Sequence, residues 1–242
     1  MSNLLNESRM TVVEHFEELR NRVLYSIIIF ICFTIITFIF VEPIVIFLQL
    51  PAHGIKFLQL APGEYFFSAM KVSFYLGLLL STPFIIYQLI MFISPGLTIA
   101  ERRIIVPTIL ASVFLFICGL MFGYYFLIPA ALNFLINYGA NLVQPLWSFE
   151  QYFDFILALF VSTGFVFQIP IFQIICSVLR LVSSQHMISF WKYVLVISTI
   201  IGAILTPSTD PITQIVLSSA IVLLYCLGVL FMIIVEKIIT FN

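Results

Sequence analysis

Charge is scarce in this 242-residue chain: Lys, Arg, Asp and Glu together supply 9% of it, and the formal net charge is -1. So thin and scattered a supply excludes the basic face that a polyanion needs, so no nucleic-acid partner is expected, and it leaves no acidic solvating tail. The four cysteines, Cys32, Cys118, Cys176 and Cys226, stand far apart inside apolar runs and read as small buried hydrophobes, not as a disulfide framework. His15, His53 and His186 lack Cys or carboxylate neighbours at ligand spacing, so no metal is expected. A phosphate-cradling glycine loop, paired histidines on a helix and a nucleophile with a nearby base are missing too. The chain therefore reads neither as a nucleotide-driven pump nor as an enzyme, with no catalytic residue and no cofactor.

What is present is apolar. Hydrophobic residues make up 62% and aromatic residues 16%, and the mean hydropathy is +1.19. No soluble core of this size hides that much, so the chain belongs in a bilayer. The first apolar run is long enough to span and no small-residue cleavage signal follows it, which predicts a permanent helix. At about twenty residues per crossing, the runs predict six transmembrane helices. They lie near 23–41, 66–93, 104–128, 149–178, 193–206 and 212–235, in an all-α membrane protein with one polytopic domain over 1–242. The second and fourth runs are long and the fifth short, which suggests a dished, concave bundle.

Proline punctuates the pattern. Pro43 and Pro51 follow the first span, Pro95 the second, Pro107 and Pro129 frame the third, and Pro207 and Pro211 separate the last two. Pro83 and Pro170 fall inside spans and predict kinks. Arg9, Arg20, Arg22, Arg102, Arg103, Arg180, Lys192 and Lys237 fall on one side of the predicted membrane, and Lys56 and Lys71 on the other. That bias places both termini on the cytoplasm-equivalent (cis) side.

The polar residues that remain are grouped. "VEHFEELRNRV", residues 13–23, gathers Glu14, Glu17, Glu18, Arg20 and Arg22 just before the first span. Thr11 and Glu14 form a capping-box pattern, and Val12, Phe16, Leu19 and Val23 share one face, so 11–22 reads as an interfacial amphipathic helix. Arg20 and Arg22 serve as topology anchors and Glu18 and Arg22 as an i,i+4 pair, which explains the arginines but not why three glutamates gather here. "ISPGLTIAERR" places Glu101 beside Arg102 and Arg103. Glu101 is either a carboxylate at the start of the third helix or, converging with Glu18, part of a cation-binding surface. In "LTPSTDPITQ", Asp210 reads as a near-interface N-cap or first-turn residue and Gln214, one turn deeper, wants a partner. Gln168 is either interhelical glue or a docking point for a partner helix, and Gly119-x-x-x-Gly123 is a small-residue packing motif.

These constellations, in this order, resemble the TatC family, the polytopic receptor component of the twin-arginine protein translocase. The matching stretches are "HFEELRNRV", "PFIIYQLIMFISPGLTIAERR", "GYYFLIPAALNF" and "ILTPSTDPITQ"; "KFLQLAPGEYFF" and "FQIP" look like the cyanobacterial and plastid branch. Many bacterial relatives carry glutamate where this chain has Gln168, so a proton relay there is not expected. The resemblance implies that Glu18 and Glu101 contact the paired arginines of a signal peptide on a folded precursor, supported by Arg20, Arg22 and Phe92. It implies that Pro51, Pro83, Asp210 and Gln214 shape the concave face and its contacts with single-span TatA/TatB-type subunits, with Gln168 touching a partner helix. Further implications are a homo-oligomer inside a larger lipid-embedded complex and transport driven by the proton gradient. A thylakoid membrane with stromal termini is expected, with a bacterial or cyanobacterial membrane as the alternative. The rival readings are a self-contained small-solute secondary transporter or channel, which calls for several mid-membrane ionisable groups, and a membrane metalloenzyme, which calls for clustered ligands.

Overall fold

The computed structural model describes residues 12–52, 55–96, 99–138, 146–206 and 210–240. Thr11, and with it the capping-box expectation, lies outside them, as do Arg9, His53 and Pro207.

Helix α1 runs unbroken over Val12–Ile39, so the stretch expected as an interfacial helix feeding the first span is continuous with it. Nothing between Glu14 and Ile39 can stop a helix: there is no Gly or Pro, and Arg22 folds back one turn onto Glu18. Phe16, Leu19 and Val23 of the expected stripe remain exposed. Helix α2, Val41–Gln49, holds Pro43 in its first turn, where a missing N–H costs nothing. It passes into a 3-10 turn, Leu50–Ala52, around Pro51. Strand β1, Lys56–Leu58, pairs in parallel with β2, Leu146–Ser148, aligning Phe57 with Trp147.

Helix α3, Glu64–Ile93, passes through Pro83 without ending. The hydroxyls of Ser81 and Thr82 both donate to the Leu78 carbonyl, on the turn that the proline disturbs. A 3-10 turn at Ser94–Gly96 and helix α4, Ile99–Arg102, lead into α5, Ile105–Phe122. Pro129 does not close the third span. A π turn over Gly123–Leu127 widens the backbone ahead of it, with the Ile128 N–H reaching back to the Gly123 carbonyl. Pro129 then sits in the first turn of α6, Ile128–Asn137, and the helical stretch continues about two turns past the expected end.

The fourth span divides as its proline requires. Helix α7, Phe149–Val166, stops at Phe167 and Gln168, and α8, Ile169–Val178, restarts with Pro170 in its first turn. Helix α9, Ser184–Ser189, precedes α10, Trp191–Leu205, and α11, Pro211–Thr240, completes the described chain. Among the described residues, five helical stretches are long and apolar enough to cross a membrane: Val13–Ile39, Glu64–Gly96, Ile105–Asn137, Phe149–Val178 and Pro211–Lys237. Helix α10 takes the place of the expected fifth span; at about 1.5 Å per residue its 15 residues fall short of a full hydrocarbon core.

The fourth stretch is the central post. Of its most apolar window 61% is buried, against 6% for α1 on the outside. Phe153, Ile156, Leu157 and Leu159 of α7 are inaccessible and meet Leu79, Leu127, Leu132 and Leu217 in one cluster. Elsewhere small residues bring helices together. Gly77 of α3 sits so close to Thr34 of α1 that an added Cβ would lie 2.8 Å from the Thr34 Cα, and the Thr37 hydroxyl donates to the Ser73 carbonyl across the same seam at 2.9 Å. Gly119 and Gly123 form the corresponding seam against Thr163 of α7 and Phe167 just beyond it.

Candidate functional site

Helices α1 and α3 are antiparallel, so the start of α1 and the end of α3 share one end of the bundle. The glutamate-rich turns of α1 therefore lie beside Tyr87, Gln88 and Phe92. Arg22 donates from Nε to Glu18 Oε1 at 2.9 Å and from Nη1 to Gln88 Oε1 at 3.0 Å, which pins the guanidinium between the two helices. The second carboxylate oxygen, Glu18 Oε2, is buried and makes no hydrogen bond; the His15 ring nitrogen stands 4.0 Å from it. His15 in turn stacks on Phe92, ring centroids 4.2 Å apart. Glu14, Glu17 and Glu18 line a groove with Arg22 as its cation, so the groove carries negative charge. Through Arg22 and Gln88 it runs into an apolar cleft between α1 and α3, walled by Val23, Ile27, Phe30, Leu89 and Phe92. Arg20 points to solvent.

Glu101, on α4, is 5% exposed. It enters a cavity walled by Ile90, Ile93, Ile105, Ile174 and Val178, a setting that a carboxylate tolerates only with a cation or donors at hand. Arg180, just beyond α8, supplies a guanidinium at 3.2 Å from Glu101 Oε1. The two carboxylates do not converge. Gln88 and Phe92 accompany Glu18, whereas Ile90 and Ile93 accompany Glu101; at about 100° per residue these pairs occupy different faces of α3. The last turns of α3 thus stand between two carboxylate sites, each already holding an arginine.

The other expected residues lie elsewhere. Asp210 is buried and caps α11, its Oδ2 accepting from the Thr213 N–H at 2.8 Å. Gln214 donates to the Thr199 carbonyl of α10 at 3.3 Å. Pro51 is half-buried in its turn, and Pro83 lies within α3. Gln168 is 1% exposed at the α7–α8 break, accepting from the Ser112 hydroxyl at 2.9 Å and donating to the Ser112 carbonyl at 3.2 Å. That closed pair joins α5 to the break between α7 and α8. Gln168→Leu is expected to cost about 0.6–1.7 kcal/mol of stability, read as a lower thermal midpoint in detergent, with part recovered when Ser112→Ala removes the stranded hydroxyl.

Sequence reasoning missed several groups. Glu64 is buried and ties together the two loops at the far end of the bundle: its Oε1 accepts from the Ser148 hydroxyl at 2.7 Å and the Glu150 N–H at 3.0 Å, and its Oε2 from the N–H groups of Leu60 and Ala61. Only its spacing from Leu60 and Ala61 was visible in the chain. Lys71, read with Lys56 only as a basic residue on the side away from the termini, sits 2.6 Å from Glu150 and 3.0 Å from Asp154. Gln88 and Arg180 owe their importance to contacts across 66 and 79 positions.

Comparison with known proteins bears on the same end-to-end architecture. The family model described as Sec-independent protein translocase protein (TatC) matches residues 14–219. An uncharacterized TatC-like protein of Pyropia yezoensis is 54% identical over 96% of this chain and 91% of its own length. The chloroplastic Sec-independent protein translocase protein TatC of Arabidopsis thaliana is 45% identical over 93% of this chain and 67% of its own length. A crystal structure of the twin-arginine translocase receptor TatC superposes with a TM-score of 0.79 at 32% identity, covering 92% of this chain and 99% of that one. The match extends from the glutamates at the start of α1 into α11, and by it this multi-pass membrane protein belongs to the TatC family of protein translocase components.

Proposed function

We propose that this chain is the receptor of a twin-arginine translocase, a non-enzymatic component that binds the Arg-Arg signal peptide of a folded precursor through Glu18 and Glu101. The observation that carries this reading is the pair of shielded carboxylates on opposite flanks of α3, each matched to a guanidinium. Neighbouring side chains of an extended peptide point in opposite directions. Two consecutive arginines laid over the end of α3 therefore reach one carboxylate each. A guanidinium offers a planar fork to a carboxylate, where lysine is a point charge, so the sites favour Arg-Arg over Lys-Lys. Arg20, Arg22 and Phe92 support the same surface, and the apolar cleft beside Arg22 suits the hydrophobic stretch of a signal peptide.

The bias of eight basic residues against two supports an orientation with this end and both termini on the stromal or cytoplasmic side. The chloroplastic relative supports a thylakoid location. Single-span TatA/TatB-type subunits, and further copies of this chain, complete a complex that uses the proton gradient. Pro51, Pro83, Asp210 and Gln214 shape their contacts. Asp210→Asn retains an oxygen to accept the Thr213 N–H, so α11 still starts correctly; the expected result is unchanged signal binding with reduced transport into vesicles, and lost binding would contradict this placement. The receptor reading itself is tested by titrating Arg-Arg and Lys-Lys signal peptides onto the protein in nanodiscs. A preference of about tenfold or more for Arg-Arg is expected from charge-assisted bonds that only a fork can double, and equal affinities would remove the reading.

A further inference from the structure

We propose that Arg180 is a displaceable stand-in for a ligand arginine: in the empty receptor it occupies Glu101 and must yield when the signal peptide binds. This rests on the receptor reading above and adds a regulating contact to the same site.

The backbone at the end of α8 is the first argument. The Arg180 N–H donates to the Ser177 carbonyl and the Leu181 N–H to the Cys176 carbonyl, both at 2.9 Å, the paired bonds of a helix stop whose next residue must be left-handed. Arg180 has φ 56, and among the described residues no other non-glycine residue has a positive φ. Glycine fits such a position without penalty. An arginine here is thus held against its own backbone preference while its guanidinium meets Glu101 Oε1.

The second argument is the asymmetry of the pair. The Arg180 side chain is 71% exposed and that of Glu101 is 6% exposed. Arg180 can leave into water at little cost, whereas Glu101 stays behind among isoleucine walls, where a second guanidinium is a better neighbour than none. An incoming guanidinium makes that exchange one for one, with the charge of the cavity unchanged. Rebinding of Arg180 then helps the ligand leave, which suits a receptor that must pass its cargo on.

The test uses the full chain in nanodiscs of phosphatidylcholine and phosphatidylglycerol and a fluorescent Arg-Arg signal peptide. Arg180→Gly and Arg180→Asn both tolerate the left-handed backbone and remove the competing cation. Each is expected to tighten binding about two- to fivefold, the range set by an exposed ion pair. The gain should vanish when Glu101→Gln is added to either variant. Unchanged or weaker binding in both Arg180 variants overturns the proposal, as does a gain that persists with Glu101→Gln. If Glu101→Gln alone leaves wild-type affinity unaltered, the receptor reading of Glu101 fails first, and that result needs no Arg180 variant to be recognised.

Discussion

Glu101→Ala is expected to weaken binding of an Arg-Arg precursor by about ten- to a hundredfold while leaving the amount of folded protein in the membrane near normal, since a hydrogen bond to a charged group is worth roughly 1.5–3 kcal/mol. The protein tolerates the change because the residue removed is a charge inside an apolar cavity, and deleting such a group relieves desolvation even as it costs a contact. Arg180, freed, simply hydrates. Glu18→Ala is expected to act in the same direction on binding, with an added structural effect: Arg22 then keeps only its bond to Gln88 Oε1, and the seam between α1 and α3 loosens at that end. A titration of labelled precursor onto membranes, normalised to receptor by immunoblot, checks both. Full binding in either variant would remove that glutamate from the site.

The largest effect on stability is expected at Gly77. A Cβ there would lie 2.3 Å from the Thr34 hydroxyl and 2.8–2.9 Å from the Thr34 backbone, and backbone cannot step aside as a side-chain tip can. Gly77→Leu must therefore push α1 away from α3, costing about 3 kcal/mol or more by overpacking. It would also break the Thr37 to Ser73 bond across the same seam. Because α1 carries Glu18, signal binding should fall together with the thermal midpoint. Thr34→Ala in the same chain should not rescue it, because the clash with the Thr34 backbone stays. Normal stability of Gly77→Leu would show that the two helices pack less closely than described. Gly119, close to Phe167 and the Thr163 carbonyl, should show the same behaviour without the loss of Glu18 placement, which separates a general packing defect from a defect at the receptor face.

How much of this was readable in the chain follows from the range of each interaction. The spans were legible because an apolar run is a local property, and so were the punctuation by Pro170 and the capping role of Asp210. Pro129 misled because a proline stops a helix only when the backbone ahead of it cannot adapt, and the π turn at Gly123–Leu127 does adapt. The glutamates at positions 18 and 101 stood out as charges with no obvious duty. That they flank α3 instead of meeting was not legible, since it depends on the rotation of α3, set by packing along the Ser73, Gly77 and Ser81 face and not by any one residue. The β1–β2 pairing and the Glu64 clasp join loops more than eighty positions apart, and three-residue strands carry too little alternation to announce themselves. Arg180 looked like a topology charge; only its left-handed backbone marks it as something else.

The central claim, that consecutive arginines of a bound signal peptide straddle the end of α3, is tested most directly by site-specific crosslinking. A photoreactive residue is placed immediately before or immediately after the arginine pair of a precursor, and adducts are mapped on the wild-type protein, Glu18→Ala and Glu101→Ala in membranes, with a Lys-Lys precursor as control. The account predicts two separate sets of adducts, one around Tyr87 and Gln88 and one around Ile93 and Glu101, both dependent on Arg-Arg and each lost first in the variant of its own glutamate. A single shared set of adducts, or adducts equally strong with Lys-Lys and indifferent to both glutamates, would contradict it.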